Sequence, residues 1–318
     1  MLQFHYMAPW VPGFNSAIEA ELSATNNSPP FTSFQLATID HKSGYPKNRT
    51  LIFRGFLFND KTNNILTCTT DKRMSKYDEF LHDDKFEAVF YFPRTKKQFR
   101  FRGKARIIDH TYKPIIDISA IQPKTILEHN QKVSLKRDKE FNNSDVEDEV
   151  DDDESIVNGN RQNNHNNTTN GNGNHSINPQ TTPIQSSLLS PSLLSQFNDS
   201  SHDLAYSTLN ELSHLQYIPP SEEEWNAEID RQWENLSKSL KKTFRKPAPL
   251  QPLNDDNIKL MDSINRGVDG KKDDHGKKNF SVVALFIDQV DMVELEKDRR
   301  YIYVKDSHQL WSEEEVCP

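Results

Sequence analysis

Between residues 128 and 205 the chain stops offering material for a core. The run DVEDEVDDDE, residues 145–154, carries eight acids in ten residues, and an Asn-rich tract continues to about residue 178. Segments this polar bury too little apolar surface to offset the entropy of ordering them. So long a stretch reads as a disordered insertion rather than as a loop of a compact domain. Thr182-Pro183 and Ser190-Pro191 inside it are candidate phosphorylation sites. Any folded domain must therefore be assembled from the sequence on either side, and the hydrophobic content of 34% in 318 residues agrees with a chain that is folded only in part.

Upstream, residues 8–127 open with WVPGFNSAIEAEL, where Phe14, Ile18 and Leu22 recur at helical spacing. After Pro29-Pro30 come FTSFQLATID, RTLIFRGFLF, NILTCTT, FEAVFYF and QFRFRGKARII. These are short runs rich in aromatic and β-branched residues, bounded by turn formers, and they predict an antiparallel meander or barrel. A short helix interrupts them at DKRMSKYDEFLHDD, with Asp71 as its expected cap and Met74, Tyr77, Phe80 and Leu81 on one side. Thr69, Thr70, Arg73, Ser75 and Lys76 then lie near a helix N-terminus, where backbone N–H groups and the helix dipole favour a phosphate.

Downstream, Ser221 and Glu224 form a capping box ahead of one long helix that ends before Pro247 and Pro249. Its stripe of Trp225, Ile229, Trp233, Leu236, Leu240 and Phe244 reads as core packing. A polar linker within the domain follows at 246–279. NFSVVALFID is then a strand, DMVELEKDRRYIYVK a hairpin, and LWSEEEVCP the close of the chain. Residues 8–127 and 206–318 are thus expected to form one domain, a barrel completed by distant strands.

Several chemistries are excluded. Neither HExxH nor GxSxG occurs, Cys68 and Cys317 match no metal-ligand spacing, and the histidines are scattered, so no metal site is expected. No apolar run is long enough to span a membrane and no secretory signal is visible, which predicts a soluble cytoplasmic or nucleocytoplasmic protein. The net charge of -8 argues against a nucleic-acid coat. Three basic clusters remain: Arg49 with Arg54, Arg73 with Lys76, and the alternating face of KKQFRFRGKAR, Arg100 to Arg106. They either face water or surround an anion. RNA stacking on this strand would need a KGFGFV-like order and a paired helix–strand repeat, and both are missing, which leaves an RNA-binding module as the remote alternative.

Taken in order, WVPGFNSAIEAEL, FQLATIDHKSGYPKNRTLIFRGF, TTDKRMSK, FEAVFYFPRTKKQFRFRGKARII, RQWENLSKSLKKTF, NFSVVALFIDQVDMVELEKDRRYIY and the closing W…CP resemble the pyridoxamine 5'-phosphate oxidase-like FMN-binding flavoproteins, most closely the Alr4036-type subfamily. The resemblance implies a mainly β fold with flanking helices, a split β-barrel, and a homodimer holding FMN between its subunits. It places Arg49, Thr50, Leu51, Ile52, Phe53 and Arg54 along the flavin, with Arg49 near the phosphate and Thr70, Ser75 and Lys76 completing the phosphate cradle. Gln98 matches the glutamine that meets the flavin ring. Arg299 or Arg300 matches a late arginine facing flavin and substrate, and Ser237 and Trp233 lie where the partner subunit reaches the flavin. The implied chemistry is oxidation of pyridoxamine or pyridoxine 5'-phosphate, by hydride transfer to flavin N5 and reoxidation by oxygen. Two departures weaken the substrate side: DRRYIY lacks the histidine of the family's late Arg-x-His pair, and Leu295 stands where a flavin-stacking tryptophan is expected. FMN binding with little oxidase activity is therefore the alternative implied.

Overall fold

An apolar residue at nearly every position from 280 to 287 predicts a strand covered on both faces, since a half-exposed strand would alternate. In the computed structural model, which describes residues 7–24, 26–27, 31–119, 178–198, 218–270 and 272–318, this run begins the longest strand of the sheet. The described residues all belong to one compact unit.

In chain order the strands are β1 (Ser33–Ile39), β2 (Pro46–Ile52), β3 (Ile65–Asp71), β4 (Lys85–Phe92), β5 (Lys97–Ile108), the short β6 (Ile116–Asp117) and β7 (Ile184–Gln185), then β8 (Phe280–Glu294), β9 (Arg299–Lys305) and β10 (Trp311–Val316). The helices are α1 (Trp10–Leu22), α2 (Ser75–His82), α3 (Pro191–Asn198), α4 (Glu222–Glu234), α5 (Lys238–Thr243) and α6 (Asp255–Arg266). The main sheet runs β10-β9-β8-β5-β4-β1-β2, with β3 paired to the first half of β8. Just past β2, Arg54 N–H donates to the Thr67 carbonyl and Thr67 N–H to the Gly55 carbonyl, each at 2.9 Å, so β3 also joins the β2 side. The sheet thereby closes into a barrel and leaves few unpaired edges.

Inside it, alternate residues of β1, β4 and β5 point inward, as a period of two requires. Phe34, Leu36, Ala88, Phe90, Phe99 and Phe101 are buried there, and α1 inserts Trp10 and Phe14 among them. The Phe14 ring lies 5.0 Å from Phe90 and 5.1 Å from Phe101, both edge-to-face. A second core covers the other face of β3 and β8: Val282, Ala284 and Phe286 meet Trp225, Ile229 and Trp233 of α4. The tryptophan stripe is thus core. Gly103 is required by close approach: β8 carries an extra residue at Asp288, and a Cβ on residue 103 would lie 1.9 Å from the Phe286 carbonyl oxygen.

The basic face of β5 holds carboxylates. Arg100 donates to Asp291 at 2.5 Å, Arg102 to Glu87 at 2.7 Å, and buried Arg106 pairs with Asp84.

Five local expectations need correction. The strand expected over RTLIFRGFLF stops at Ile52, and Leu57–Asn59 forms a 3₁₀ turn instead. Asp71 does not cap α2, whose N-cap is Met74; it accepts from the Arg73 backbone and guanidinium instead. The long helix at 221–245 is broken at Asn235–Ser237, because the Ser237 hydroxyl accepts from Leu240 N–H and starts α5. The expected linker 246–279 contains α6, capped by Asn254 and ended by Gly267 at φ 73°. Residues 178–198, assigned by composition to the insertion, are built into the fold. There the Gln180 side chain accepts from Ile107 N–H and donates to the Phe80 and Ala105 carbonyls. The rest of the insertion lies outside the described residues.

Candidate functional site

β3 ends at Asp71, the chain turns through Lys72–Met74, and α2 begins at Ser75. That turn folds Lys76 back against the strand, where it is 6% exposed. Its ammonium donates to Thr70 Oγ1 at 3.1 Å and lies 2.9 Å from Met74 Sδ. No carboxylate among the described residues forms an ion pair with it; burial, with Arg49 acting the same way, outweighs the upward pull of Cys68, Glu79 and Asp71 and pushes its amine below the ordinary lysine range. Arg54, just past β2, is alike: among the described residues its buried Nε has no hydrogen-bond partner and its guanidinium no ion pair, and burial lowers its pKa. Both cations act on the buried Cys68 thiol, which burial pushes up to about 12 although Lys76 and Arg54 pull the other way.

Both cations line a cleft of about 470 Å³. One wall is Thr50, Leu51, Ile52 and Arg54 with Thr69, Thr70 and Lys76; the other is Leu240, Thr243 and Phe244 of α5, the proline-rich strap 246–253, and Asn257 and Met261 of α6. Arg73 pins the strap. Its guanidinium, held by Asp71, donates to the carbonyls of Lys246 at 2.7 Å and Phe244 at 3.2 Å. This arrangement offers an anion two cationic donors and a hydroxyl at one end, and a flat ring apolar walls at the other.

The cleft brings together Thr50, Leu51, Ile52, Arg54, Thr70 and Lys76. Ser75 stands beside Lys76 at the start of α2. Arg49 is engaged elsewhere, donating to Glu79 at 2.7 Å and Thr38 at 2.5 Å. Burial works to raise the Glu79 carboxyl, but Thr38 and Arg49 outweigh it and hold it below the usual range. Phe53 packs on Phe14 and Phe90 in the barrel core. Ser237 caps α5, and Trp233 is buried against Phe244 and Phe280. Gln98, Arg299 and Arg300 lie on β5 and β9. Arg299 is paired with Glu315, and Arg300 with Asp291. Sequence reasoning missed the strap and α6 as the second wall. Asn254 and Gly267 bracketing Ile258, Met261 and Ile264 were the available signal.

Along the sheet, Thr50, Gln35, Val89, Arg100, Asp291, Ile302 and Glu314 are successive register partners. Thr50 of the cleft and the Asp291–Arg300 pair therefore share this row's face, on strands separated by β1, β4 and β5 in one direction round the barrel and by β3 in the other.

Comparison with known proteins agrees with this architecture. The family described as pyridoxamine 5'-phosphate oxidase, FMN-binding domain, matches residues 7–109. An uncharacterised Saccharomyces cerevisiae protein is 36% identical over 334 aligned positions, covering 99% of each chain. Pyridoxine/pyridoxamine 5'-phosphate oxidase 2 of Arabidopsis thaliana is 36% identical over 104 residues, 33% of this chain and 48% of that protein. Among solved structures, a pyridoxamine 5'-phosphate oxidase-related, FMN-binding protein of Nostoc punctiforme superposes with a TM-score of 0.53 at 20% identity, covering 99% of this chain and 100% of its own, which shows the shared split-barrel fold. The same barrel, matched in sequence across the strands that build the cleft, places this chain in the pyridoxamine 5'-phosphate oxidase FMN-binding-domain family.

Proposed function

We propose that this chain binds FMN with its 5'-phosphate seated at Lys76, Thr70 and Arg54, and acts as a flavin-dependent oxidoreductase on a small phosphorylated substrate such as pyridoxamine or pyridoxine 5'-phosphate. One observation carries the reading: two partly or fully buried cations line a single cleft and neither has an ion-pair partner among the described residues, since Asp71, the carboxylate on the same wall, is taken up by Arg73. Buried charge left without a counter-ion is destabilising unless a ligand supplies one. A phosphate accepts from both side chains and from Thr70, while Leu51, Ile52, Leu240 and Phe244 exclude water from the ring it carries. Bound flavin would accept the hydride; the chain's own share is to bind and orient. We further propose a homodimer, because Gln98 and Arg300 are not among the residues that line their own cleft and would serve the cleft of a second copy.

The test is to titrate the flavin-free protein with FMN and follow fluorescence quenching. One FMN per chain is expected; a protein that takes up none overturns the assignment. A second reading, FMN binding without oxidation of pyridoxamine 5'-phosphate, rests on the engagement of Arg299 and Arg300 with Glu315 and Asp291. Peroxide released on adding that substrate supports the first reading, and bound flavin without peroxide the second.

A further inference from the structure

We propose that His41, Asp78 and His82 form a surface site for a divalent first-row transition ion of the zinc type, clamping the β1–β2 turn to α2. Asp78 and His82 stand one turn apart on α2, so both leave the same face of the helix. His41, just past the end of β1, is carried over them by the turn. Ligand atoms of the three side chains all lie within 4.8 Å of one another. The imidazoles are face to face, centroids 3.6 Å apart and planes 5° from parallel. The Asp78 carboxylate is 3.8 Å from His41 Nε2.

A second observation concerns tautomer. His82 Nδ1 lies 2.8 Å from the Asp78 carbonyl oxygen. A carbonyl only accepts, so Nδ1 carries the hydrogen and the neutral ring presents its lone pair on Nε2. Metal-binding histidines are oriented in this way, by donating their other ring N–H to a backbone carbonyl. Two imidazole nitrogens and one carboxylate oxygen suit Zn²⁺, Co²⁺ or Ni²⁺ and not Mg²⁺ or Ca²⁺, which take oxygen ligands. Coordination at about 2.0–2.1 Å requires the ion near both ring planes, so the stack must open. Both side chains are at the surface, 25% and 40% exposed, and rotate on the picosecond to nanosecond scale. Lys42, 4.0 Å from Asp78 and 76% exposed, is free to swing aside, and water fills the remaining positions. The ion would brace the helix whose first turn carries Lys76 and whose Glu79 holds Arg49.

The experiment is calorimetric titration of the metal-free full chain with zinc chloride, and with cobalt chloride followed by visible absorption, both without flavin. Other histidines and carboxylates also bind ions, so the decisive comparison is with His41→Gln, His82→Gln and Asp78→Asn. Each is expected to weaken the tightest site at least tenfold and to remove its cobalt band, with the ion-free melting temperature unchanged. Zinc affinity and cobalt spectrum unaltered in both histidine variants would overturn the site. Because the readout contains no flavin, its outcome is independent of FMN binding.

Discussion

The ammonium of Lys76 has a hydroxyl and a thioether for neighbours, so in the flavin-free protein its charge opposes folding. Arg49, on β2, is the reverse: its guanidinium neutralises Glu79, which is 1% exposed. The two substitutions should move stability in opposite directions. Lys76→Met is expected to raise the melting temperature of the flavin-free protein while removing roughly 1.5–3 kcal/mol of FMN binding, about ten- to hundredfold in affinity. Arg49→Ala is expected to destabilise by about 2–3 kcal/mol in urea unfolding, the low side for a broken buried pair because Lys47 remains 3.4 Å from Glu79. The pH dependence follows from the lowered Lys76 pKa. Between that value and the ordinary lysine value the unfolded chain binds more protons than the folded one, so stability rises with pH in that window. Flavin-free wild type should show this slope and Lys76→Met should lack it; equal slopes, or lower stability of Lys76→Met, would remove the uncompensated charge from the account.

Among elements, what could be read in advance was what a periodic pattern specifies. The strands β1, β3, β4, β5, β8 and the β8–β9 hairpin were legible because aromatic and β-branched runs alternate or stay continuously apolar, whereas β2 was legible only over Arg49–Ile52, since Pro46–Asn48 carry no such run. Lys76 and Thr70 were legible at a strand–helix junction. The helix break at Ser237 was not, because a serine inside an amphipathic stripe gives no sign that it will cap a new helix. Nor was the docking of 178–198, since Asn178, Gln180 and Ser186 look like the polar tract before them until they meet backbone groups from elsewhere in the fold. Gln180 carries that docking: it satisfies Ile107 N–H at 2.8 Å and the Phe80 carbonyl at 2.7 Å, both in buried surroundings. Gln180→Ala should therefore lose about 2–4 kcal/mol, the desolvation left on those groups, read as a lower urea midpoint. A change under half a kcal/mol would mean that the segment is held by its other anchors, the β6–β7 pairing, the Ser190–Glu224 hydrogen bond and the burial of Ile184 and Leu188.

At the scale of the whole molecule, cleft residues and the Gln98–Arg300 group share a sheet face, yet neither Gln98 nor Arg300 lines the cleft. A shared site across two copies reconciles this, and sedimentation should then give twice the 36.8 kDa chain mass. A single-chain mass with FMN bound would show that each cleft works alone. The placement of β8 between β3 and β5 also sets the order in which the protein can form. Lys97 finds Glu294, and Ile108 finds Val282, only after the intervening chain has been made. At 5–20 residues per second the ribosome takes on the order of ten seconds over that interval. Meanwhile β3 and β5 wait with open edges and half the aromatic core in place, a template for wrong pairings as well as right ones. Biosynthesis of this barrel is therefore a holding problem, in which chaperone protection of the early half matters until the last long strand arrives.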